Sequence, residues 1–280
     1  MAEPVIITAA VVGAELTREN TPYLPLTPDE IAGQAHAAHQ AGAAMIHLHA
    51  RAKDGSPTQD KEAYRQIIEA VRARTPEVII QVSTGGAVGM TAEERLQPLA
   101  LQPEMVSLTT GTVNFGEDVF SNSLPMVRQF ARAMQERNIR PELEIFDTGM
   151  IPSAMRLLKE GLLSQPLHFN LVIGVPGGAA GTIKNLLHMV ESLPSNCTWT
   201  VSGIGAAQLP LTTAAILLGG HVRVGLEDNI YYQRGVLSEG NAPLVERAAR
   251  LAKELGRPPA SPDEARRILH LENRGQNETG

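Results

Sequence analysis

A single cysteine, Cys197, stands among 280 residues, so no internal disulfide can staple the chain, and such usage fits a reducing compartment. Aromatic residues are nearly as scarce, at 4%, which leaves Ala, Val, Ile and Leu to fill the core. That mixture suits parallel strands wrapped by helices. Positive charge is in deficit: 24 Lys and Arg against 30 Asp and Glu give a formal net charge of −6. No basic face is implied, and nucleic acid is not expected as a partner. No apolar run reaches the roughly 18 residues that span a bilayer. Met1-Ala2-Glu3-Pro4 has neither the basic stretch nor the apolar core of a signal peptide. A soluble, cytoplasmic protein with no membrane partner is expected.

What the chain does have is alternation. Apolar runs bounded by Gly, Pro and polar clusters predict strands at 5–12, 44–49, 78–83, 105–109, 142–146, 168–173, 198–202 and 221–225. Helices are predicted between and after them, at 27–42, 60–74, from 91, and at 123–137, 152–163, 179–192, 208–218 and 242–255. Thr27-Pro28-Asp29-Glu30 combines an N-cap, a proline at the first helical position and a carboxylate at N3. Thr91-Ala92-Glu93-Glu94 repeats the capping box, and Gly42 can take a left-handed stop. Eight β/α alternations predict an α/β protein, a (β/α)8 TIM barrel, for which ~250 residues is typical. A single domain over 1–280 is expected, with an extra C-terminal helix from Ser261 to near Leu271. A doubly wound sheet would want a glycine-rich fingerprint after the first strand, and Val12-Gly13-Ala14-Glu15 is not one.

Barrel chemistry sits at the C-terminal ends of the strands, and these ends are polar: Glu15, then His47, His49 and Arg51, then Gln81 and Ser83. Thr109, Asn114, Glu142, Glu144, His168, Asn170, Ser202, Arg223, Glu227 and Asp228 continue the rim. Residues i and i+2 of a strand share a face, so His47 and His49 in Met45-Ile46-His47-Leu48-His49 present two imidazoles together. Two histidines on a strand are often only polar or hydrogen-bonded, and a third ligand is needed before a metal is implied. Strand eight closes beside strand one, and Arg223, Gly225 and Glu227 share a parity, which makes Glu227 the best candidate. Two His and one carboxylate suit Zn²⁺ and leave positions open for substrate; Mn²⁺ and Co²⁺ accept the same ligands. Asp228 beside Arg223 offers a carboxylate base held by a guanidinium, against the plainer reading of a surface ion pair. Gly174-Val175-Pro176-Gly177-Gly178 follows strand six and opens a helix, where backbone N–H groups can hold an anion or simply make a tight connection.

Together these segments resemble one family from nearly end to end, the β-keto acid cleavage enzymes. The resemblance lies in Gly13-Ala14-Glu15, Pro22-Tyr23-Leu24-Pro25-Leu26-Thr27-Pro28, and His47-Leu48-His49-Ala50-Arg51 with Asp54-Gly55-Ser56-Pro57-Thr58-Gln59. It continues through Gln81-Val82-Ser83-Thr84-Gly85-Gly86, Thr109-Thr110-Gly111-Thr112-Val113-Asn114-Phe115 and Glu142-Leu143-Glu144. Gly174-Val175-Pro176-Gly177-Gly178 and Val222-Arg223-Val224-Gly225-Leu226-Glu227-Asp228-Asn229 complete it.

The resemblance implies a Zn²⁺-dependent barrel enzyme, usually a homotetramer, that condenses a β-keto acid with acetyl-CoA to give acetoacetate and a new CoA thioester. It places His47, His49 and Glu227 on the metal and the Asp228–Arg223 pair at the acetyl group. Glu144, Ser83 and Thr109 match positions that orient the substrate or its carboxylate. Asn114, Arg51, Gly177 and Gly178 belong to the same matched segments and are expected at the substrate. A glutamate resembling Glu15 occurs in a family member that cleaves 3-keto-5-aminohexanoate in lysine fermentation. A cationic β-keto acid is therefore expected, that compound first and dehydrocarnitine second. Two rivals stand beside this: a CoA-independent metal-dependent aldolase or hydrolase on the same barrel, and a non-catalytic protein with a vestigial barrel, which would have lost its ligands.

Overall fold

The computed structural model describes residues 3–271; the expected domain runs to 280, and residues 1–2 and 272–280 lie outside the described residues. Eight parallel strands close a barrel. They are β1 (Ile7–Ala10), β2 (Met45–Leu48), β3 (Ile79–Val82), β4 (Met105–Thr109), β5 (Arg140–Ile145), β6 (Leu167–Ile173), β7 (Cys197–Gly203) and β8 (His221–Val224). Each pairs with the next in sequence, and β8 pairs with β1 through Thr8↔Arg223. Around the wall lie α1 (Pro28–Gln40), α2 (Lys61–Arg74), α3 (Ala92–Leu96), α4 (Leu124–Glu136), α5 (Met150–Lys159), α6 (Ile183–Glu191), α7 (Gln208–Leu217) and α8 (Ala242–Glu254). The predicted (β/α)8 order holds.

The pleat sorts the strands into two environments. Ile46 and Leu48, Ile80 and Val82, Val106 and Leu108, Leu143 and Ile145, Phe169 and Leu171 all join the large outer cluster beneath the helices. Burying each such side chain contributes about 1.5–3 kcal/mol. The intervening residues differ: His47, Gln81, Ser107, Glu142, Glu144, His168, Asn170, Thr200, Ser202 and Arg223 are buried and polar. An unmatched polar group in such a place costs about 1–3 kcal/mol, so these residues bond one another. His168 Nε2 meets Glu142 Oε2 at 3.1 Å, Asn170 Nδ2 donates to Glu142 Oε1 at 3.1 Å, and Ser202 Oγ donates to Asn170 Oδ1 at 2.8 Å.

The C-terminal helix forms as α9 (Pro262–Ile268) and ends short of Leu271. Ser261 and Glu264 make the capping box. Its Ala265, with Leu269 and Leu271 beyond it, packs on Ile6, just before β1, and on Met45, Ile79 and Met105, the first residues of β2, β3 and β4. The helix thus closes the barrel floor with an apolar plug. Other boundaries shift for local reasons. Pro98 converts the stretch after α3 into a 3₁₀ turn over Gln97–Leu101. Helix α6 begins only at Ile183, because residues 174–182 form an elaborated loop that Thr182 ends by accepting from Asn185 N. Small antiparallel hairpins not expected from the sequence edge the upper rim: Ala50–Arg51 with Pro57–Thr58, Val113–Phe115 with Asp118–Phe120, and Tyr231–Gln233 with Val236–Leu237. No helix among the described residues is long and apolar enough to cross a membrane.

Candidate active site at the barrel mouth

Register sets the first part of the site. On β2, His47 lies opposite Ala10 of β1 and Gln81 of β3. Its Nδ1 sits 2.6 Å from Gln81 Oε1; an amide oxygen only accepts, so Nδ1 carries the proton and Nε2 keeps its lone pair. That lone pair faces Glu227 Oε1 at 3.7 Å, and His49 Nε2 faces the same oxygen at 3.6 Å. The imidazole rings are 5.3 Å apart and inclined at 59°. One ligand atom from each of His47, His49 and Glu227 falls within 4.8 Å of the others. Strand β2 stops at Leu48 and the following hairpin begins at Ala50, so His49 holds its place from the single residue that joins them rather than from the strand itself.

Glu227 arrives by a route that parity does not describe. Strand β8 ends at Val224, and Gly225 takes a φ of +144°, a conformation open to glycine. A Cβ there would collide with the Ala10 carbonyl. The chain then turns across the end of β1, where Glu227 N donates to Ala10 O at 3.1 Å. Gly13 makes room, since a Cβ on it would lie 2.7 Å from Glu227 Cγ. Asn241, fully buried, fastens the turn: its Oδ1 accepts from Leu226 N at 2.8 Å and its Nδ2 donates to Val11 O at 3.1 Å.

The electrostatics suit a cation. Burial lowers His47 to about 4, which keeps it neutral and able to ligate at pH 7. Burial opposes ionisation of Glu227, but Arg223, His47 and His49 outweigh it and hold the carboxyl well below its usual range. Glu227 Oε2 is buried and has no hydrogen-bond partner among the described residues. An ionised carboxylate with an orphaned oxygen, beside two imidazole nitrogens, fits a divalent metal.

Arg223 organises the rest. Its Nε donates to Asp228 Oδ2 at 2.9 Å and its Nη2 to Asp228 Oδ1 at 2.6 Å, a two-pronged grip. The same Nη2 donates to Glu227 Oε1 at 2.8 Å, while Nη1 lies 3.8 Å from Glu144 Oε1. Burial pushes Asp228 up from the usual carboxylate value, with Arg223 pulling the other way. Glu144 is also pushed up, by burial first, and accepts from Thr109 Oγ1 at 2.7 Å. His47, His49, Glu227, Arg223, Asp228, Glu144 and Thr109 therefore form one connected mouth.

The remaining predicted residues stand around it. Ser83 is buried just past β3 and accepts from Gly85 N at 3.0 Å. Glu15 is exposed on the turn after β1, and Asn114 is exposed on the hairpin after β4. Gly177 and Gly178 pack tightly: a Cβ on Gly177 would strike Asn114 O, and one on Gly178 would come 2.9 Å from Phe146 O. Gly178 N donates to Val175 O at 3.0 Å, so part of this loop's backbone is already engaged. Arg51 directs its guanidinium at the backbone carbonyls of Gly13, Leu16 and Gly55. Two contributors were given no role by the sequence: Gln81, which fixes the His47 tautomer, and Asn241. The alternation of Gln81 with Ser83 hinted at the first; nothing local marks the second.

A closed barrel whose mouth joins two imidazoles and a carboxylate to a buried Arg–Asp pair defines a (β/α)8 enzyme with a candidate metal centre. The model of the beta-keto acid cleavage enzyme family matches residues 4–271. This chain belongs to that family. It is 53% identical over 272 residues to a 3-keto-5-aminohexanoate cleavage enzyme of Fusobacterium nucleatum subsp. nucleatum, covering 97% of this chain and 99% of that one. It is 36% identical over 297 residues to a 3-dehydrocarnitine:acetyl-CoA trimethylamine transferase of Rhizobium meliloti, covering 98% and 99%. Among solved structures, ObcA bound to oxaloacetate superposes with a TM-score of 0.74 at 22% identity, over 89% of this chain and 67% of that one, a likeness of fold.

Proposed function

We propose that this enzyme condenses a cationic β-keto acid, 3-keto-5-aminohexanoate first, with acetyl-CoA to yield acetoacetate and a new acyl-CoA. The carrying observation is that one guanidinium, Arg223, grips both Glu227 and Asp228, which sets a candidate base beside a candidate metal ligand. The 53% identical relative supports the choice of substrate. His47, His49 and Glu227 would hold Zn²⁺, which when bound supplies Lewis-acid polarisation of the keto oxygen.

Asp228 removes a proton from C2 of the β-keto acid, between its keto and carboxylate groups, and its raised affinity for protons helps it do so. The acetyl methyl expected from the resemblance does not serve, because its carbanion would form no bond between the two halves of acetoacetate. Arg223 keeps the carboxylate oriented and stabilises charge in the buried pocket. The C2 carbanion attacks the thioester carbonyl of acetyl-CoA and expels the CoA thiolate, which adds to the original keto carbon. Retro-Claisen cleavage between that carbon and C2 then releases the new acyl-CoA and the acetoacetate carbanion. Asp228 returns its proton to the departing acetoacetate carbanion. Glu144, pushed toward its neutral form and bonded to Thr109, joins Ser83 in orienting the substrate carboxylate. Asn114, with the Gly177–Gly178 loop packed on its backbone, shapes the opposite rim. Glu15 offers a carboxylate to the substrate's ammonium group. A homotetramer belongs to this reading and is checked by sedimentation.

The test is an acetyl-CoA-dependent assay of metal-loaded enzyme on cationic, neutral and anionic β-keto acids, with products identified by mass spectrometry. Product formation that needs acetyl-CoA, favours the cationic acids and disappears in His49→Ala is expected. Cleavage without acetyl-CoA would move the assignment to an aldolase or hydrolase. Should Glu15→Gln leave the preference for cationic acids unchanged, the role of Glu15 fails.

A further inference from the structure

Arg51 is buried, yet its side chain forms no ion pair within 4 Å among the described residues. Four of its five N–H donors meet backbone carbonyls instead. Nε and Nη2 both donate to Gly13 O, Nη2 also reaches Leu16 O at 2.8 Å, and Nη1 reaches Gly55 O at 2.9 Å. Gly13 and Leu16 bracket Glu15, so the guanidinium clasps the turn that presents this carboxylate. Gly13 is also the residue against which Glu227 lies. The hairpin that carries Arg51, Ala50–Arg51 with Pro57–Thr58, begins directly after His49.

We infer that Arg51 is a positioning residue that locks the 13–16 turn beneath Glu227, so that one side chain sets both the seat of the metal ligand and the placement of Glu15. The second half rests on the proposed role of Glu15; the first does not. Arginine is required by shape. A planar fork spans three carbonyls on two segments, whereas a lysine ammonium is a single point of charge that satisfies one side of the clasp. Partners one step behind a metal ligand typically change metal affinity by about 10–100-fold when altered.

The experiment compares wild type, Arg51→Lys and Glu15→Gln. It measures Zn²⁺ affinity by competition with a chromophoric chelator and the ratio of KM values for a cationic and a neutral β-keto acid. Arg51→Lys is expected to bind Zn²⁺ roughly 10-fold or more weakly and to shift the KM ratio toward that of Glu15→Gln. Wild-type values for both quantities overturn the inference; so does a weakened metal site with the wild-type KM ratio intact, because the turn would then be held by other contacts. A wild type without cationic preference means that the substrate reading has failed, and the Zn²⁺ measurement alone then decides on Arg51. If Arg51→Lys does not fold, Gly13→Ala is the second variant. Its Cβ, 2.7 Å from Glu227 Cγ, must displace the carboxylate and weaken Zn²⁺ binding, and an unchanged affinity overturns the proposed seat.

Discussion

Replacing Arg223 by lysine keeps a positive charge at the barrel mouth and removes the fork. The wild-type side chain makes three charge-assisted bonds, two to Asp228 and one to Glu227. Each is worth about 1.5–3 kcal/mol. A lysine ammonium can retain one of them, so about 3–6 kcal/mol is lost from the pair of carboxylates. Breaking buried ion pairs elsewhere costs about 3–5 kcal/mol, which agrees. Against a typical stability of about 5–15 kcal/mol, the variant should fold with little margin. Urea denaturation in the presence of a metal chelator is the assay, because bound metal would otherwise stabilise the native state by mass action. Turnover measured alongside should fall at least about 100-fold, the loss of an oriented base. A stability change below about 1 kcal/mol together with turnover within twofold of wild type would refute the reasoning. It would mean that the two carboxylates are compensated without the fork.

Other perturbations separate roles. Asp228→Asn should lower turnover by about 10²–10⁴ while Zn²⁺ affinity stays within a few-fold, since Asp228 is not a proposed ligand; chelator competition and single-turnover deprotonation of the β-keto acid at C2 read the two. His221, lowered to about 3 chiefly by burial, must stay neutral to accept from Ile6 N at 3.1 Å. Between pH 6.5 and about 3 the unfolded state binds more protons at this residue, so its contribution to stability, present above pH 6.5, is lost as pH falls through that window. Urea midpoints should decline there, and His221→Asn should flatten the decline. Gly225→Ala places a side chain at φ +144° against the Ala10 carbonyl, and should cost at least about 2 kcal/mol with loss of the metal site; a soluble variant of wild-type Zn²⁺ affinity contradicts this.

Much of the barrel is legible in one dimension because its rules are local. Capping boxes at Thr27, Thr91 and Ser261 all form, and strand alternation follows from the backbone itself. The His47–His49 pair is legible for the same reason. Glu227 was found by parity, yet it reaches the histidines through the Gly225 bend rather than along the strand. Gly177 and Gly178 suggested anion binding, and their immediate constraint is a backbone crossing with Asn114 and Phe146.

The order of elements, the polar rim and the family were thus determined by sequence alone, through short-range periodicity and motifs of fixed spacing. Which rim residues touch was decided only by closure of the barrel. That closure sets Thr8 opposite Arg223 and brings Asn241 to the ends of β1 and β8 across 230 positions of chain. It also turns Arg51 inward onto Gly13, and drives α9 into the floor. Contacts of this kind depend on shear and register, which no local pattern of residues encodes.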